Sequence, residues 1–138
     1  MTQTLSYTKP LPIVTPVNKP FWDAAKLHEL VLPRCKDCGA WTFPLGPMCQ
    51  SCWSENLEWA RASGRGVVTT WVVFHRAFDP SFTNDIPYAV VQVELEEGVR
   101  YISNLVGVAP NAIKEGMRVE AVFDDVTPEI SLLKFRPA

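Results

Sequence analysis

Four cysteines constrain this chain more than any other feature in it. Cys35 and Cys38 form one C-x-x-C pair, Cys49 and Cys52 form another, and ten residues separate the two; no other cysteine is present. Two residues between cysteines let both sulfurs turn onto one ion, and a second such knuckle completes a tetrahedron. Zinc(II) suits four thiolates at ~2.3 Å, and a site closed by four protein ligands offers no position to substrate or water. Gly39 follows Cys38, while Pro44, Gly46 and Pro47 shape the approach to Cys49. Two disulfides are the competing reading, disfavoured because nothing else in the chain suggests an oxidising compartment. A redox C-x-x-C fits less well, since it needs one pair beside a βαβ unit and not two facing pairs. The expectation is therefore structural zinc, which by itself does not make an enzyme.

The 138 residues suffice for one domain, or a small module joined to a larger one. Apolar residues make up 47% and charged ones 20%, as in a folded soluble protein. The formal charge is -2 with neutral cysteines, and four thiolates around one zinc(II) add roughly two more negative charges. Such a balance is poor for phosphate-backbone binding, which relies on Lys and Arg. No apolar run approaches the ~20 residues of a membrane span. Residues 1–7 have neither a basic start nor a hydrophobic stretch, so no signal peptide is visible. Reduced cysteines and no export signal lead to the expectation of a cytoplasmic protein.

Residues 1–20 hold Pro10, Pro12, Pro16 and Pro20 with Leu11, Ile13, Val14 and Val17 between them. Proline removes backbone donors and fixes φ, which predicts an extended arm. Its aliphatic content suggests that it lies on its own body or on a partner, the alternative being a frayed end. Pro20 suits a helix start, and Phe21, Ala24, Leu27 and Val31 recur at helical spacing, so a helix of about three turns is expected, ending before Pro33. Trp22 reads as a packing anchor. Residues 33–62 make the rubredoxin-like zinc ribbon, too short to bury a core of its own. Trp41, Phe43, Leu45, Trp53, Leu57 and Trp59 are many large apolar groups for such a segment, so some must pack on the next domain or on another chain.

A hinge at Ser63-Gly64-Arg65-Gly66, where two glycines permit positive φ, opens an all-β region. Strands are expected at 67–75, 87–95, 99–106, 117–123 and 130–135, with a tight turn at Glu96-Glu97-Gly98 and one helical turn over 109–116. Five short strands with that insertion fit a small OB-type Greek-key barrel over 63–138. The fold class is thus mainly β: arm and helix over 1–32, ribbon, then barrel.

Catalytic residue types are thin. His28 falls in the expected helix, where a surface role is the default. His75 opens a long loop, 75–86, which also holds Asp79 and Asp85. A His–Asp pair there would serve as base and orienter, yet no nucleophile or glycine-rich phosphate loop accompanies it. The loop is the better binding candidate, since long connections in compact domains are usually functional. Arg76 with Phe78 and Phe82 suits an adenine, a phosphate or a partner's surface. Alternatively, both rings fold back to plug the barrel mouth.

The order of these features is similar to that of a known family. Pro20-Phe21-Trp22, Pro33-Arg34-Cys35 with the other cysteines, Ala62-Ser63-Gly64-Arg65-Gly66, His75-Arg76, Ile86-Pro87-Tyr88, Phe123-Asp124-Asp125-Val126-Thr127 and Phe135-Arg136-Pro137 form the series. It resembles a family of zinc-ribbon plus OB-fold proteins associated with acyl-CoA metabolism. That resemblance implies an accessory subunit of a thiolase-like enzyme, an aldolase or an enoyl-CoA hydratase, which scaffolds the catalytic chain and helps hold the CoA ester. The partner would supply the catalytic residues. With Cys35, Cys38, Cys49 and Cys52 as metal ligands, Arg65, His75, Arg76, Phe78 and Phe82 are the residues expected to border the ester. Two rivals stand beside it: a single-stranded nucleic-acid module, and a self-sufficient hydrolase or hydratase using His75 with Asp79 or Asp85.

Overall fold

A computed structural model describes residues 9–138; the first eight residues of the expected arm lie outside it. Residues 10–15 adopt neither helix nor strand. The chain touches its own body at Lys9, whose ammonium lies 2.8 Å from Asp85, but Leu11, Ile13, Val14 and Val17 stay exposed.

Helix α1 spans Lys19–Lys26, with Pro20 in its first turn and Phe21 and Ala25 buried. It is a full turn shorter than helical spacing predicts. The cause is a C-terminal cap without glycine: His28 takes φ 61°. The amides of His28 and Glu29 bond back to the carbonyls of Ala25 and Ala24 at 2.9 and 3.0 Å. This crossed pair is the Schellman arrangement, which turns the chain away from the helix axis. Leu30 and Val31 then belong to the next element, not to a helical stripe.

Strand β1, Val31–Cys35, pairs antiparallel with β2, Leu57–Arg61, from Val31 opposite Arg61 to Cys35 opposite Leu57. Pro33 sits inside β1, tolerated because a two-stranded sheet consists of edges; its carbonyl accepts the Thr42 amide at 2.9 Å.

Five further strands form one antiparallel sheet, β3 Arg65–Phe74, β4 Tyr88–Leu95, β5 Arg100–Asn104, β6 Arg118–Asp125 and β7 Ser131–Pro137, in spatial order β5-β4-β3-β6-β7. The ends of the sheet meet through a parallel bridge from Leu105 to Phe135. The Val106 amide bonds the Phe135 carbonyl at 2.8 Å, and Ser103 Oγ donates to the Leu133 carbonyl. The result is the expected five-stranded, near-closed OB barrel. Its strand limits shift by one or two residues, and the helical turn over 109–116 contracts to a 3-10 turn at Pro110–Ala112.

The two hinge glycines do different things. Gly64 has φ 77°, as expected. Gly66 needs no positive φ; it is paired on both sides at once, with Leu95 and with Val119. A Cβ there would meet the Glu94 carbonyl oxygen at 2.4 Å and Val93 Cγ1 at 2.7 Å. Absence of a side chain lets β3 coil between two partners.

The helix and the β1 segment that follows it, the ribbon and the barrel share one core. Phe21, Leu30, Leu32 and Ala62 join Val68, Val91, Val93, Leu133 and Phe135 in a single buried cluster. Tyr101 is the bridge between them, with Phe43 at 4.2 Å, Phe21 at 6.3 Å and Phe135 at 6.1 Å. Trp22, Trp41, Phe43 and Leu45 pack against this cluster, which accounts for part of the ribbon's surplus aromatics. Trp53 remains 73% exposed.

Candidate metal centre and binding loop

The four cysteine sulfurs all lie within 4.8 Å of one another. Cys35 to Cys52 and Cys38 to Cys49 are each 3.6 Å apart. Four sulfurs held ~2.3 Å from a central ion would be about 3.8 Å apart, so the donor set fits a tetrahedral zinc(II). The cysteines are free thiols and not disulfides.

Each knuckle is built the same way, fourteen residues apart. The Cys35 amide bonds the Ala40 carbonyl and the Gly39 amide bonds the Cys35 carbonyl; the Cys49 amide bonds the Ser54 carbonyl and the Trp53 amide bonds the Cys49 carbonyl. Backbone N–H groups aim at the first sulfur of each pair, from Cys38 at 3.4 Å and Ser51 at 3.3 Å. Cys35 and Cys49 are buried while Cys38 and Cys52 face outward. The amides of Cys52 and Ser51 pull the Cys49 thiol down to about 6. Cys52 has an amide from Ser54 acting to lower it, yet the crowd of sulfurs around it, Cys35 foremost, pushes it up to about 12. Four thiolates cannot share this space without a cation. Asp37 ties the knuckles together, accepting from Ser54 Oγ at 2.5 Å and Asn56 Nδ2 at 3.3 Å.

The 75–86 loop separates its expected residues. His75 and Arg76 are exposed, and His75 bonds neither Asp79 nor Asp85. Asp79 accepts from the Ser81 hydroxyl and amide at 2.6 and 2.9 Å, which hold its carboxyl below the usual range. Asp85 is engaged by Lys9. The His–Asp base of the self-sufficient hydrolase reading is therefore not assembled.

The two phenylalanines divide between the readings offered for them. Phe82 folds back, stacked on Tyr88 at 5.5 Å with Lys9 Nζ 5.4 Å from its ring centre. Phe78 stays 71% exposed, edge-on to Phe74 at 6.0 Å, with the Arg76 guanidinium 5.2 Å from its ring centre. A cavity of about 510 Å3 opens beneath this loop, lined by Phe82, Tyr88, Asn104, Val108, Leu132 and Lys134 among others.

Arg65 lies elsewhere, in a cleft of about 550 Å3 between ribbon and barrel, with His28, Arg61, Glu97, Glu120 and Phe123. Its guanidinium pairs with Glu96 at 3.1 Å, and this bond, with Glu97 and Glu120 nearby, raises its pKa. Arg65 is thus separated from the loop residues and already neutralised. His28 faces the same cleft and does more than an idle surface group. Its Nε2 lies 2.9 Å from Asp125 Oδ1 and its ring stacks on Phe123 at 5.4 Å. No local signal could announce a pair ninety-seven residues apart; the Phe123-Asp124-Asp125 motif marked one half of it.

This combination defines a zinc-ribbon/OB-fold protein, and comparison with known proteins sharpens the class. Residues 22–58 match the family described as ChsH2, rubredoxin-like zinc ribbon domain, and residues 59–124 match ChsH2, C-terminal OB-fold domain. The solved structure of the "Ltp2-ChsH2(DUF35) aldolase" contains a chain 38% identical, with TM-score 0.81 over 92% of this chain and 98% of that one. A DUF35 domain-containing scaffold protein of Pyrococcus furiosus is 38% identical over 80% of this chain and 84% of its own length. The probable enoyl-CoA hydratase alpha subunit of Thermomonospora curvata is 39% identical over 94% of this chain and 40% of its own length. In Mycobacterium tuberculosis the 3-oxo-4,17-pregnadiene-20-carboxyl-CoA hydratase alpha subunit is 38% identical over 85% of this chain and 36% of its own. The chain therefore spans about two-fifths of the length of these hydratase subunits. It belongs to the ChsH2 (DUF35) family of zinc-ribbon/OB-fold proteins. No helix among the described residues is long and apolar enough to cross a membrane.

Proposed function

We propose that this chain is a zinc-stabilised accessory subunit that scaffolds a thiolase-like or aldolase catalytic chain and helps hold its acyl-CoA thioester. The observation that carries the reading is the convergence of all four cysteines on one tetrahedral site, which commits every thiol to architecture. Cys35, Cys38, Cys49 and Cys52 are its metal ligands, and the ion supplies folding energy, not a reactive water. Relatives named as hydratase alpha subunits, a thiolase subunit and scaffold proteins support the subunit role. In this reading 33–62 is the ribbon and 63–138 the barrel. The 75–86 loop borders the partner's CoA channel, with His75, Arg76 and Phe78 exposed toward the phosphate or adenine end and Phe82 lining the cavity of about 510 Å3. Arg65 is the weaker candidate because carboxylates surround it.

A nucleic-acid role finds little support in the placement of the basic side chains. Lys19, Arg65, Lys134 and Arg136 are each paired with a carboxylate at 2.7 to 3.1 Å, whereas phosphate binding needs free cations. The deciding experiment compares turnover of an acyl-CoA by the chain alone, by its co-isolated catalytic subunit alone, and by the two together. Turnover and stability of the catalytic subunit should both require this chain. A catalytic subunit indifferent to its presence, or turnover by the zinc-loaded chain by itself, overturns the reading.

A further inference from the structure

The two knuckles differ at one position. Gly39 and Trp53 each follow the second cysteine of a pair, each donates its amide to the first cysteine's carbonyl, and each has positive φ, 81° and 66°. Glycine takes that conformation freely; a bulky side chain there is an outlier that the surrounding fold must enforce. The second knuckle places its largest possible residue at the position least suited to it. Among the described residues no contact rewards this. Trp53 is 73% exposed and, among the described residues, has no ring partner and no cation over its face. Trp41, near the first knuckle, is different: Arg34 lies 5.9 Å from its ring centre.

Over 33–62 the side-chain charges balance, with Arg34, Lys36 and Arg61 against Asp37, Glu55 and Glu58, so the net charge of the ribbon is that of its metal site. A zinc tetrathiolate adds two net negative charges, and its outward sulfurs include that of the neighbouring Cys52. Asp37 is anchored to Ser54, the residue after Trp53. An exposed, electron-rich ring before an anionic background is a receptor for a cation.

We propose that Trp53 is a docking anchor of the ribbon, and that its occupant is an arginine or lysine side chain of the catalytic subunit laid over the indole. The inference rests on the subunit reading above and names the contact through which the ribbon takes part in it. Backbone strain is retained at the knuckle because the ring is needed at the interface, where aromatic residues are enriched and carry disproportionate binding energy.

The test uses the full zinc-loaded chain and the catalytic subunit isolated bound to it. The Trp53→Gly variant should melt no lower than the wild type, because strain is relieved and little buried contact is lost. Its dissociation constant for the catalytic subunit should rise at least tenfold, and wild-type affinity should fall as salt is raised. Acetyl-tetra-arginine amide should perturb tryptophan emission in the wild type and not in the variant, while acetyl-tetra-glutamate amide affects neither. A lower melting temperature with unchanged affinity would show a merely structural residue. Lost affinity that ignores both salt and the arginine peptide would show an apolar anchor and overturn the cationic occupant. A wild-type chain that assembles with no catalytic subunit overturns both proposals; one whose Trp53→Gly variant assembles equally well overturns this one alone.

Discussion

Gly66 and His28 show how much of this fold is decided by single side chains. At Gly66 the obstacle to a Cβ is the backbone carbonyl of Glu94, 2.4 Å away, and a sheet carbonyl cannot swing aside as a flexible side chain would. Gly66→Ala should therefore cost about 2–3 kcal/mol in denaturant unfolding, the upper part of the range for overpacking. Gly98 has open space around it and φ 90°, so Gly98→Ala should cost only the left-handed penalty of about 1 kcal/mol. Equal losses at the two sites would contradict the close-approach argument. Asp125, the partner of His28, gives a prediction in pH. The Ser131 hydroxyl, and after it His28, hold Asp125 below its ordinary carboxylate value. A depressed carboxylate stabilises the fold above its unfolded pKa, about 3.9, and loses that contribution as pH falls through the folded value. Asp125→Asn should therefore lower the melting temperature at pH 6, and its gap to the wild type should close on acidification below about pH 4. A gap that is constant with pH would mean that the ionised Asp125 carboxylate contributes nothing.

At the scale of elements, the strands and knuckles were legible while the terminations and folded loops were not. β-branched runs between turn signals located all five barrel strands to within one or two residues, because alternating burial is written locally. The helix was overextended because its stop is a Schellman cap with histidine where glycine would have signalled it. Gly66 reads as a hinge because composition reveals a glycine but not the two strands that flank it. The 75–86 loop stands out in the sequence as a candidate site, yet the fate of its rings depends on Phe74 and Tyr88, the paired strand residues that flank it and stack on each other. That difference is testable. Phe82→Ala removes a ring stacked on Tyr88 and should lower stability by about 1–2 kcal/mol, less than a full core truncation because the ring is half-buried. Phe78→Ala, on an exposed ring, should leave thermal stability within about 0.5 kcal/mol while weakening retention of acyl-CoA by the assembled complex. If Phe78→Ala destabilises the isolated chain as much as Phe82→Ala, the two rings share a structural role and the loop loses its best binding residue.

For the whole molecule, the shared core turns metal loss into a global event. A structural zinc site contributes about 10–16 kcal/mol of apparent binding energy, while a domain of this size has only about 5–15 kcal/mol of net stability. Removing the ion therefore exceeds what the ribbon can absorb, and the ribbon's unfolding should not stop at its own boundary. Leu32, adjacent to the β1 knuckle, is fully buried in the same cluster as Val68 and Phe135, and Phe43 lies against Tyr101. When the knuckles open, those faces of the barrel core are exposed to water. Calorimetry of the chain titrated with a zinc chelator should thus show the barrel transition falling by more than about 10 °C, or merging with that of the ribbon. Cys49→Ser should reproduce the effect without chelator, accompanied by a red shift in tryptophan emission as Trp41 is wetted. Were ribbon and barrel independent modules, the chelator would abolish one transition and leave the other in place. That outcome would mean that the ribbon is an appendage, and that Tyr101 and its neighbours do not couple metal binding to the stability of the barrel.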